Sequence, residues 1–436
     1  MARTVKRHHV IVGASAAGLA ALEAIRSVDG ACEVTVLSKE KAPLYSRVGL
    51  THFLDGTVKL GGMGTHGADY LERLKATLLA GVAAVHVDPR ARRVKLSDGK
   101  ALRYDTLLVA SGSSAVIPPI KGIRLRGVYP CITRADAVAI DRALARARRV
   151  VVVGAGLIGI QAADAMVKRK KRVAIVEQKP HVMPGMVDPP AARLFEQLLR
   201  ERGHAVHTGA RAAEIVGKAG RVTGIRLESG EVVACQVCIM AVGVRPNLEF
   251  LEGTSVERRQ GLLVDASQQT SLPLVYAAGD AAETTDMFSG QRVLMAIWPE
   301  ALNQGRVAGL NMAGVPATYE GSMAMNVTSV LGLPITSLGL WQVTDTADYR
   351  IHSELREAQS TYRKLVFKNG TLVGAVLVGD GVNAEAGVLH NFIRTRQAFA
   401  ITPARLTAGP VSWGRILHDN RMAGRMAPQA VARAVA

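Results

Sequence analysis

The sequence contains the same structural unit twice. The first copy runs from Val10 to Glu40, and the second runs from Val150 to Glu177. Each copy reads as a short apolar strand, a glycine-containing turn, a helical stretch, a second strand and then an acid, which follows the glycines by roughly 20 residues. Two successive strands joined by a helix lie parallel in a sheet. The repeat therefore predicts an α/β chain with two doubly wound, parallel-sheet domains.

The two turns have the glycine spacing of dinucleotide-binding loops. Glycines at such positions allow a tight turn and a close approach of backbone amides to a pyrophosphate, which the N-terminus of the following helix attracts. The acids Glu40 and Glu177 are placed to accept hydrogen bonds from an adenosine ribose. Ser15 replaces the middle glycine of the first turn. The turns are Gly13, Ala14, Ser15, Ala16, Ala17 and Gly18, and Gly154, Ala155, Gly156, Leu157, Ile158 and Gly159.

Two dinucleotide sites in one chain indicate an oxidoreductase in which two dinucleotides exchange electrons. The carboxylate of Glu177 favours a free ribose 2′-hydroxyl and repels a 2′-phosphate, so NAD(H) is preferred to NADP(H). Lys179 lies two positions further along the chain and leaves the second cofactor open.

Composition and charge limit the class of protein and its partners. The chain has 436 residues and a formal charge of +18, which suits an acidic protein, a nucleic acid or an anionic membrane without choosing among them. Four scattered cysteines are too few for a disulfide framework, so we expect a cytoplasmic protein. The charge-free stretch 321–344 contains Pro334 and several glycines, and it predicts two short strands, or a strand and a loop, and no membrane span.

Three further segments resemble signature segments of FAD-dependent pyridine nucleotide reductases of the glutathione-reductase type. They are residues 104–122 (YDTLLVASGSSAVIPPIKG), 241–247 (AVGVRPN) and 271–283 (SLPLVYAAGDAAE). The resemblance implies two Rossmann-like domains, the first unit binding FAD and the second NAD(H), followed by a small C-terminal α+β domain. The implied boundaries are 1–115 with 245–325 for the FAD domain, 116–244 for the NAD domain, 326–404 for an interface or capping domain and 405–436 for a basic tail.

This resemblance also implies the residues that contact each cofactor. Beyond the two glycine turns, it places Asp280 on the ribityl chain of FAD and the segment 297–301, with Gln304, against the flavin pyrimidine edge. The remaining FAD contacts are Glu40, Arg47, Ala110, Ser111, Gly112, Gly279 and Ala301, and the remaining NAD contacts are Glu177 and Gly243.

The stretch 43–54 indicates which branch of the family the chain resembles. It contains no cysteine, which disfavours the disulfide, peroxide and coenzyme A disulfide reductases. It resembles instead the Pro-Tyr-x-Arg segment of rubredoxin reductases, oxygenase-coupled ferredoxin reductases and the flavin module of nitrite reductase. The resemblance makes Arg47 and His52 candidates for tuning the flavin, with no certain acid-base catalyst. His52 stands where a lysine is common, and Gln161 where a glutamate is common.

The resemblance implies an iron–sulfur protein or subunit as the electron partner, and the surplus of positive charge favours an acidic one. It extends to the NAD-linked FAD subunits of bacterial multi-subunit oxidoreductases, such as tungsten aldehyde oxidoreductase and phenylglyoxylate dehydrogenase. Cys235 and Cys238 lie in an apolar run that we interpret as one buried strand with the two thiols on opposite faces, so no metal site is expected. Two alternatives stay open: a stand-alone NADH oxidase, and a flavoprotein that acts as a nucleic-acid-binding or scaffold protein, with nucleic acid the less favoured partner.

Overall fold

The computed structural model describes residues 6–42, 44–344, 347–396 and 416, and these divide into two compact units. The first unit comprises residues up to 116, 130–142 and 243–322, and the second comprises 117–129, 143–242 and the residues from 323 onward. Most residues of the predicted FAD domain lie in the first unit. The three-domain boundaries stay a prediction, and the predicted basic tail lies outside the described residues apart from Ile416.

The strands are numbered here in chain order. They are β1 His8–Val12, β2 Glu33–Ser38, β3 Ala76–Ala80, β4 Ala84–Asp88, β5 Arg93–Leu96, β6 Ala101–Arg103, β7 Thr106–Val109, β8 Ser113–Ala115, β9 Val128–Pro130, β10 Arg149–Val153, β11 Arg172–Glu177, β12 Ala205–Thr208, β13 Ala212–Lys218, β14 Arg221–Leu227, β15 Val232–Ala234, β16 Val237–Met240, β17 Val244–Pro246, β18 Leu262–Leu263, β19 Val275–Ala277, β20 Ala282–Thr285, β21 Arg292–Val293, β22 Met325–Val330, β23 Leu333–Gly339, β24 Tyr349–Arg356, β25 Thr361–Lys368 and β26 Thr371–Val378.

The helices are numbered in the same way. They are α1 Ala16–Val28, α2 Gly49–Asp55, α3 Tyr70–Arg73, α4 Arg134–Leu144, α5 Leu157–Lys168, α6 Pro189–Glu201, α7 Trp298–Met312 and α8 Ala386–Thr395.

The first unit is built on a five-stranded parallel sheet in the order β19-β7-β1-β2-β3. Its central strands are runs of valine, isoleucine and leucine, because strands covered on both faces have no solvent side that would need polar residues. Ile11 in β1 pairs with Val36 in β2 and with Leu108 in β7, and all three are fully buried.

Helices α1 and α7 of the first unit meet without intervening side chains. A Cβ atom at Gly305 would lie 2.1 Å from the carbonyl oxygen of Ala17, and one at Gly309 would lie 2.4 Å from that of Ala21. These two glycines are four residues apart and share one face of α7. The close contact of the two helices therefore requires glycine at both positions.

The second unit contains a parallel sheet, β12-β11-β10-β16, which β9 extends, and a separate five-stranded antiparallel sheet in the order β22-β23-β26-β25-β24. Hydrogen bonds within the unit join the two. Asp164 on α5 accepts the backbone N–H of Leu331 at 2.8 Å, and Asp188 at the start of α6 accepts the hydroxyl of Tyr362 at 2.7 Å. Lys364 adds an ion pair to Asp188 at 3.1 Å.

Several sequence-based predictions of local structure are confirmed. Both repeats form a strand, a helix and a parallel second strand, namely β1-α1-β2 and β10-α5-β11. The charge-free stretch contains β22 and β23. The hairpin predicted at Asn369-Gly370 joins β25 to β26, and both residues have positive φ, as a two-residue type I′ turn requires.

One strand prediction is wrong. The run around Cys235 and Cys238 is not one strand but two, β15 and β16, and both cysteines lie in the same hydrophobic core instead of on opposite faces. The chain changes course at Gln236, whose side-chain oxygen accepts the backbone N–H groups of Arg148 and Arg149 at 3.1 and 2.9 Å. That tertiary contact breaks the alternation on which the prediction rested.

Within the described ranges, no helix is long and apolar enough to cross a membrane. Over the same ranges, no group of three or more histidine, cysteine, aspartate or glutamate side chains is placed to hold a metal ion.

The α1–α7 contact predicts the effect of one methyl group. Gly305→Ala places a Cβ against the Ala17 carbonyl and should lower the free energy of unfolding by about 3 kcal/mol, the upper range for overpacking a tight contact. Gly387→Ala in α8 is the matched control, because a Cβ there meets nothing within 4 Å and alanine favours a helix. Urea unfolding followed by circular dichroism measures both. Equal midpoints for the two variants would contradict the account.

Candidate functional site

The first glycine of each turn marks a close approach of two backbones. Gly13 has φ +120° and Gly154 has φ +95°, a region that side chains rarely adopt. Their N–H groups donate to the carbonyl oxygens of the neighbouring second strand, at Leu37 and Val176, over 2.9 and 2.8 Å. A Cβ at Gly13 would lie 1.9 Å from a backbone carbonyl oxygen, that of Ala110. The turn therefore passes directly over the end of the sheet.

The last glycine of each turn holds the helix against the turn. A Cβ at Gly18 would lie 1.9 Å from the carbonyl oxygen of Gly13, and a Cβ at Gly159 would lie 1.9 Å from that of Gly154. The first turn of α1 and the first turn of α5 are thus fixed over the carboxyl ends of β1 and β10. Open α/β sheets bind their ligands at this end.

The middle residue of each turn is the N-cap of the helix that follows. Ser15 and Gly156 are the N-cap residues of α1 and α5, and neither helix has a side-chain cap or an acidic residue in its first turn. A Cβ at Gly156 would meet nothing within 4 Å, so Ser15 fits the equivalent position of the first unit. Unpaired N–H groups at a helix N-terminus with free space in front of them fit a pyrophosphate.

Glu40 stands beyond β2 in a network of polar side chains. Its carboxylate accepts the hydroxyl of Tyr45 at 2.8 Å and pairs with Arg47 at 3.3 Å. Burial, reinforced by the Glu40 carboxylate, raises the pKa of Tyr45 to about 12, so the phenol keeps the proton that it donates. The Arg47 guanidinium also donates to the carbonyl of Ser113 at 3.3 Å. This network fixes a carboxylate and a cation at the carboxyl end of the first parallel sheet.

Glu177 occupies the corresponding place at the end of β11. It is only 6% exposed, and its two oxygens accept the backbone N–H groups of Ala155 at 2.6 Å and Lys179 at 2.8 Å. Each carboxylate oxygen has a second lone pair that remains available to a ribose hydroxyl. Two backbone donors thus orient the acid toward the glycine turn.

Asp280 follows β19 in the first unit and is held from two sides. The hydroxyl of Ser113 donates to its carboxylate at 2.5 Å, and the preceding N–H of Gly279 donates to the side-chain oxygen of Gln304 at 2.8 Å. Gln304 belongs to α7, whose first turn contains the predicted residues Trp298 and Ala301. The structure therefore brings α7 and Asp280 to the same edge as the first glycine turn.

Two residues that the sequence did not single out organise this edge. Ser113 contacts both Arg47, through its carbonyl, and Asp280, through its hydroxyl. Asn247 donates to the carbonyl of Ser111 at 3.0 Å and accepts the Ser114 hydroxyl at 2.6 Å, which ties β17 to β8. Both residues lie within signature segments, Ser113 inside 104–122 and Asn247 at the end of 241–247, but neither was predicted to contact a cofactor.

The remaining predicted residues are distributed as follows. Gly112 and Gly243 have positive φ and open space at the Cβ position, and Gly243 lies in the first unit, although the sequence assigned it to NAD. His52 lies on α2 with 57% of its side chain exposed. Gln161 donates to the hydroxyl of Thr328 at 3.0 Å. The other predicted residues lie at helix starts or strand ends in the two glycine turns: Ala14, Ala16, Ala17, Leu157 and Ile158.

The four cysteine side chains lie in buried environments that disfavour the thiolate form. All four are buried, and burial raises the pKa of Cys131 and of Cys235 to about 12 and raises the pKa of Cys238 well above its usual value. Burial also raises the pKa of Cys32. The thiolate is the reactive form, so these side chains are unreactive thiols at neutral pH.

Comparison with known proteins agrees with this geometry. Residues 7–305 match the family model described as pyridine nucleotide-disulphide oxidoreductase, and residues 325–389 match the rubredoxin NAD+ reductase C-terminal domain. The chain is 33% identical over 414 residues to the NADH-dependent phenylglyoxylate dehydrogenase subunit epsilon of Aromatoleum evansii, with 93% of this chain and 96% of the relative covered.

Two other proteins are similar over most of the chain. An NADH oxidase of Methanocaldococcus jannaschii is 30% identical over 398 residues, covering 86% of this chain and 88% of the relative. The covalent putidaredoxin reductase–putidaredoxin complex shares the fold, with a TM-score of 0.86 at 22% identity over 95% of this chain and 99% of the compared chain. The chain is a member of the pyridine nucleotide-disulphide oxidoreductase family.

Proposed function

We propose that this protein transfers electrons between NAD(H) and an iron–sulfur protein through FAD, without a redox-active thiol. Members of its family bind FAD and NAD(H), and the chain is an NAD(H)-dependent flavin oxidoreductase. One observation carries the proposal: two complete dinucleotide-binding turns occur in a chain whose four cysteines are all buried. A thiol relay to a disulfide or peroxide has no accessible sulfur with which to operate.

The residues of the first unit fit FAD. The α1 N-terminus has neither a side-chain cap nor an acid in its first turn and can accept the pyrophosphate, Glu40 offers acceptors to a ribose, and Asp280 offers them to a polyol chain. Bound FAD supplies the chemistry that neither unit has in its side chains, because a flavin accepts a hydride and releases electrons one at a time. Arg47 contributes positive charge at this edge, which favours an electron-rich ring system.

The residues of the second unit fit NAD(H). The α5 N-terminus is free of acids and of side-chain caps, and the buried Glu177 carboxylate lies beside the turn. A carboxylate held by two backbone donors cannot move away from a 2′-phosphate without leaving two N–H groups unpaired, and unpaired buried donors are costly. This supports NAD(H) over NADP(H).

Three observations support an iron–sulfur partner with an acidic surface. The C-terminal match is to a domain of rubredoxin NAD+ reductase, and the relative in Aromatoleum evansii is one subunit of a dehydrogenase. The chain's charge of +18 favours an acidic partner because complementary fields raise encounter rates. Four unpaired cysteines fit a reducing compartment, and we place the protein in the cytoplasm.

An anaerobic experiment tests the proposal. The purified chain is mixed with NADH in a stopped-flow cell, flavin absorbance is followed, and benzyl viologen is then added as a one-electron acceptor. We expect flavin bleaching followed by viologen reduction, with little oxygen consumption in a parallel aerobic assay. Oxygen consumption as fast as viologen reduction would favour an NADH oxidase, as in the Methanocaldococcus jannaschii relative. Absence of bleaching would refute electron transfer.

The geometry of Glu177 predicts the cofactor preference of a variant. Glu177→Ala removes the acceptor for the Ala155 N–H and the negative charge beside the ribose, so kcat/KM for NADH should fall at least tenfold, or about 1.4 kcal/mol. The value for NADPH should fall much less, because the repulsion disappears. Gln178→Ala is the matched control at an exposed neighbour. Equal losses for NADH and NADPH would show that Glu177 does not discriminate between them.

A further inference from the structure

The second unit has a strongly basic surface at the amino ends of its parallel strands, opposite its nucleotide-binding turn. Its glycine turn follows β10, and Glu177 ends β11, so nucleotide residues lie at the carboxyl ends of these strands. The basic residues instead precede β10, β11 and β12 or begin them. We call this surface the basic edge, defined by seven exposed side chains: Arg146, Arg148, Arg149, Lys168, Lys170, Arg172 and Arg202.

Positions at helix C-termini and contacts within the chain account for only two of these seven basic side chains. Lys168 ends α5, where a cation stabilises the helix dipole, and it pairs with Asp164 at 2.9 Å. Arg202 caps α6 and donates to the carbonyl of Leu331 at 3.1 Å. The other five have no carboxylate within salt-bridge distance in the part of the chain that the structure describes.

The backbone beneath the basic edge is held rigidly. Lys171 donates to the carbonyl oxygens of Leu144 and Ala147, both at 2.9 Å, which joins the turn before β10 to the turn before β11. The N–H of Arg172 donates to the carbonyl of Arg148 at 2.9 Å. A surface whose backbone is fixed before binding loses less conformational entropy when a partner docks.

We propose that the basic edge docks an acidic protein surface and holds it away from the nucleotide. Arginine guanidinium groups pair with carboxylates through two parallel hydrogen bonds, and four of the seven side chains are arginines that begin or precede β10 and β11: Arg146, Arg148, Arg149 and Arg172. Five residues of β10 separate the two edges, about 16 Å at 3.3 Å per residue. A protein bound at the basic edge therefore leaves the NAD turn free.

A nucleic acid fits this surface less well than an acidic protein. The turns that carry the charges, 146–149, 168–172 and 202–204, contain no phenylalanine, tyrosine or tryptophan on which bases stack. At this edge the helices α5 and α6 end, so no helix N-terminus is available for a phosphate. The turns are also too short to enter a groove of duplex DNA.

Zero-length cross-linking tests the proposal. The tagged holoenzyme is produced in its native host, treated with a carbodiimide, which joins lysine amines to carboxylates in direct contact, and analysed by mass spectrometry. We expect an amide between Lys170 and an aspartate or glutamate of a second protein, formed at 0.15 M salt. The double variant Arg148→Glu/Arg172→Glu should lose that product at least tenfold. Its NADH–viologen turnover should stay within twofold of wild type, which separates this inference from the proposed function.

A matched variant and a nuclease control define the other outcomes. Arg93→Glu/Lys95→Glu makes the same charge change on exposed residues of β5 in the first unit and should keep the cross-link. Loss of the product in both double variants would assign binding to net charge and overturn the proposal. Absence of a Lys170 product would overturn it too. A product that disappears on nuclease treatment, with 30-base-pair DNA binding lost only in the basic-edge variant, would assign the surface to nucleic acid.

Discussion

The close approach of backbones at Gly13 and Gly154 is the constraint on which the rest of the structure depends. At each position the turn crosses the end of the sheet at a distance that leaves no room for a Cβ atom. The helix that follows must then begin directly over the first strand, and its unpaired N–H groups face outward. Glu177 accepts the N–H of Ala155 in its turn, and Glu40 takes the equivalent place after β2, because the second strand of each unit runs parallel to the first.

A second close contact between backbones holds helix α7 in place in the first unit. Helix α7 lies against α1 because Gly305 and Gly309 have no side chains and let the backbones of the two helices touch. This contact brings Gln304 to the N–H of Gly279. Asp280 is thereby placed beside Ser113, which also contacts Arg47. The cation and the carboxylates of the proposed FAD site thus depend on helix packing as much as on the signature segments themselves.

Sequence reasoning predicted those features that depend on local spacing. The two strand–turn–helix–strand units and the hairpin at Asn369-Gly370 follow from glycine positions and hydrophobic period. Ser113 and Asn247 were missed because their roles arise from contacts between segments more than 100 residues apart, at |i−j| of 167 and 136. The break between Cys235 and Cys238 was missed because it too depends on a contact between distant segments, since Gln236 bonds to Arg148 and Arg149, which lie 88 and 87 residues earlier in the chain.

We propose that flavin is the redox centre of this chain and that none of its four buried cysteines takes part in electron transfer. Anaerobic titration of the FAD-loaded protein with NADH, followed at the flavin absorption band, tests it most directly. A flavin takes up two electrons, so we expect full reduction of the flavin at one equivalent of NADH per chain. Treatment of the native protein with iodoacetamide should leave that end point unchanged. An end point at two equivalents, or one that alkylation lowers, would reveal a redox-active pair of thiols and contradict the account.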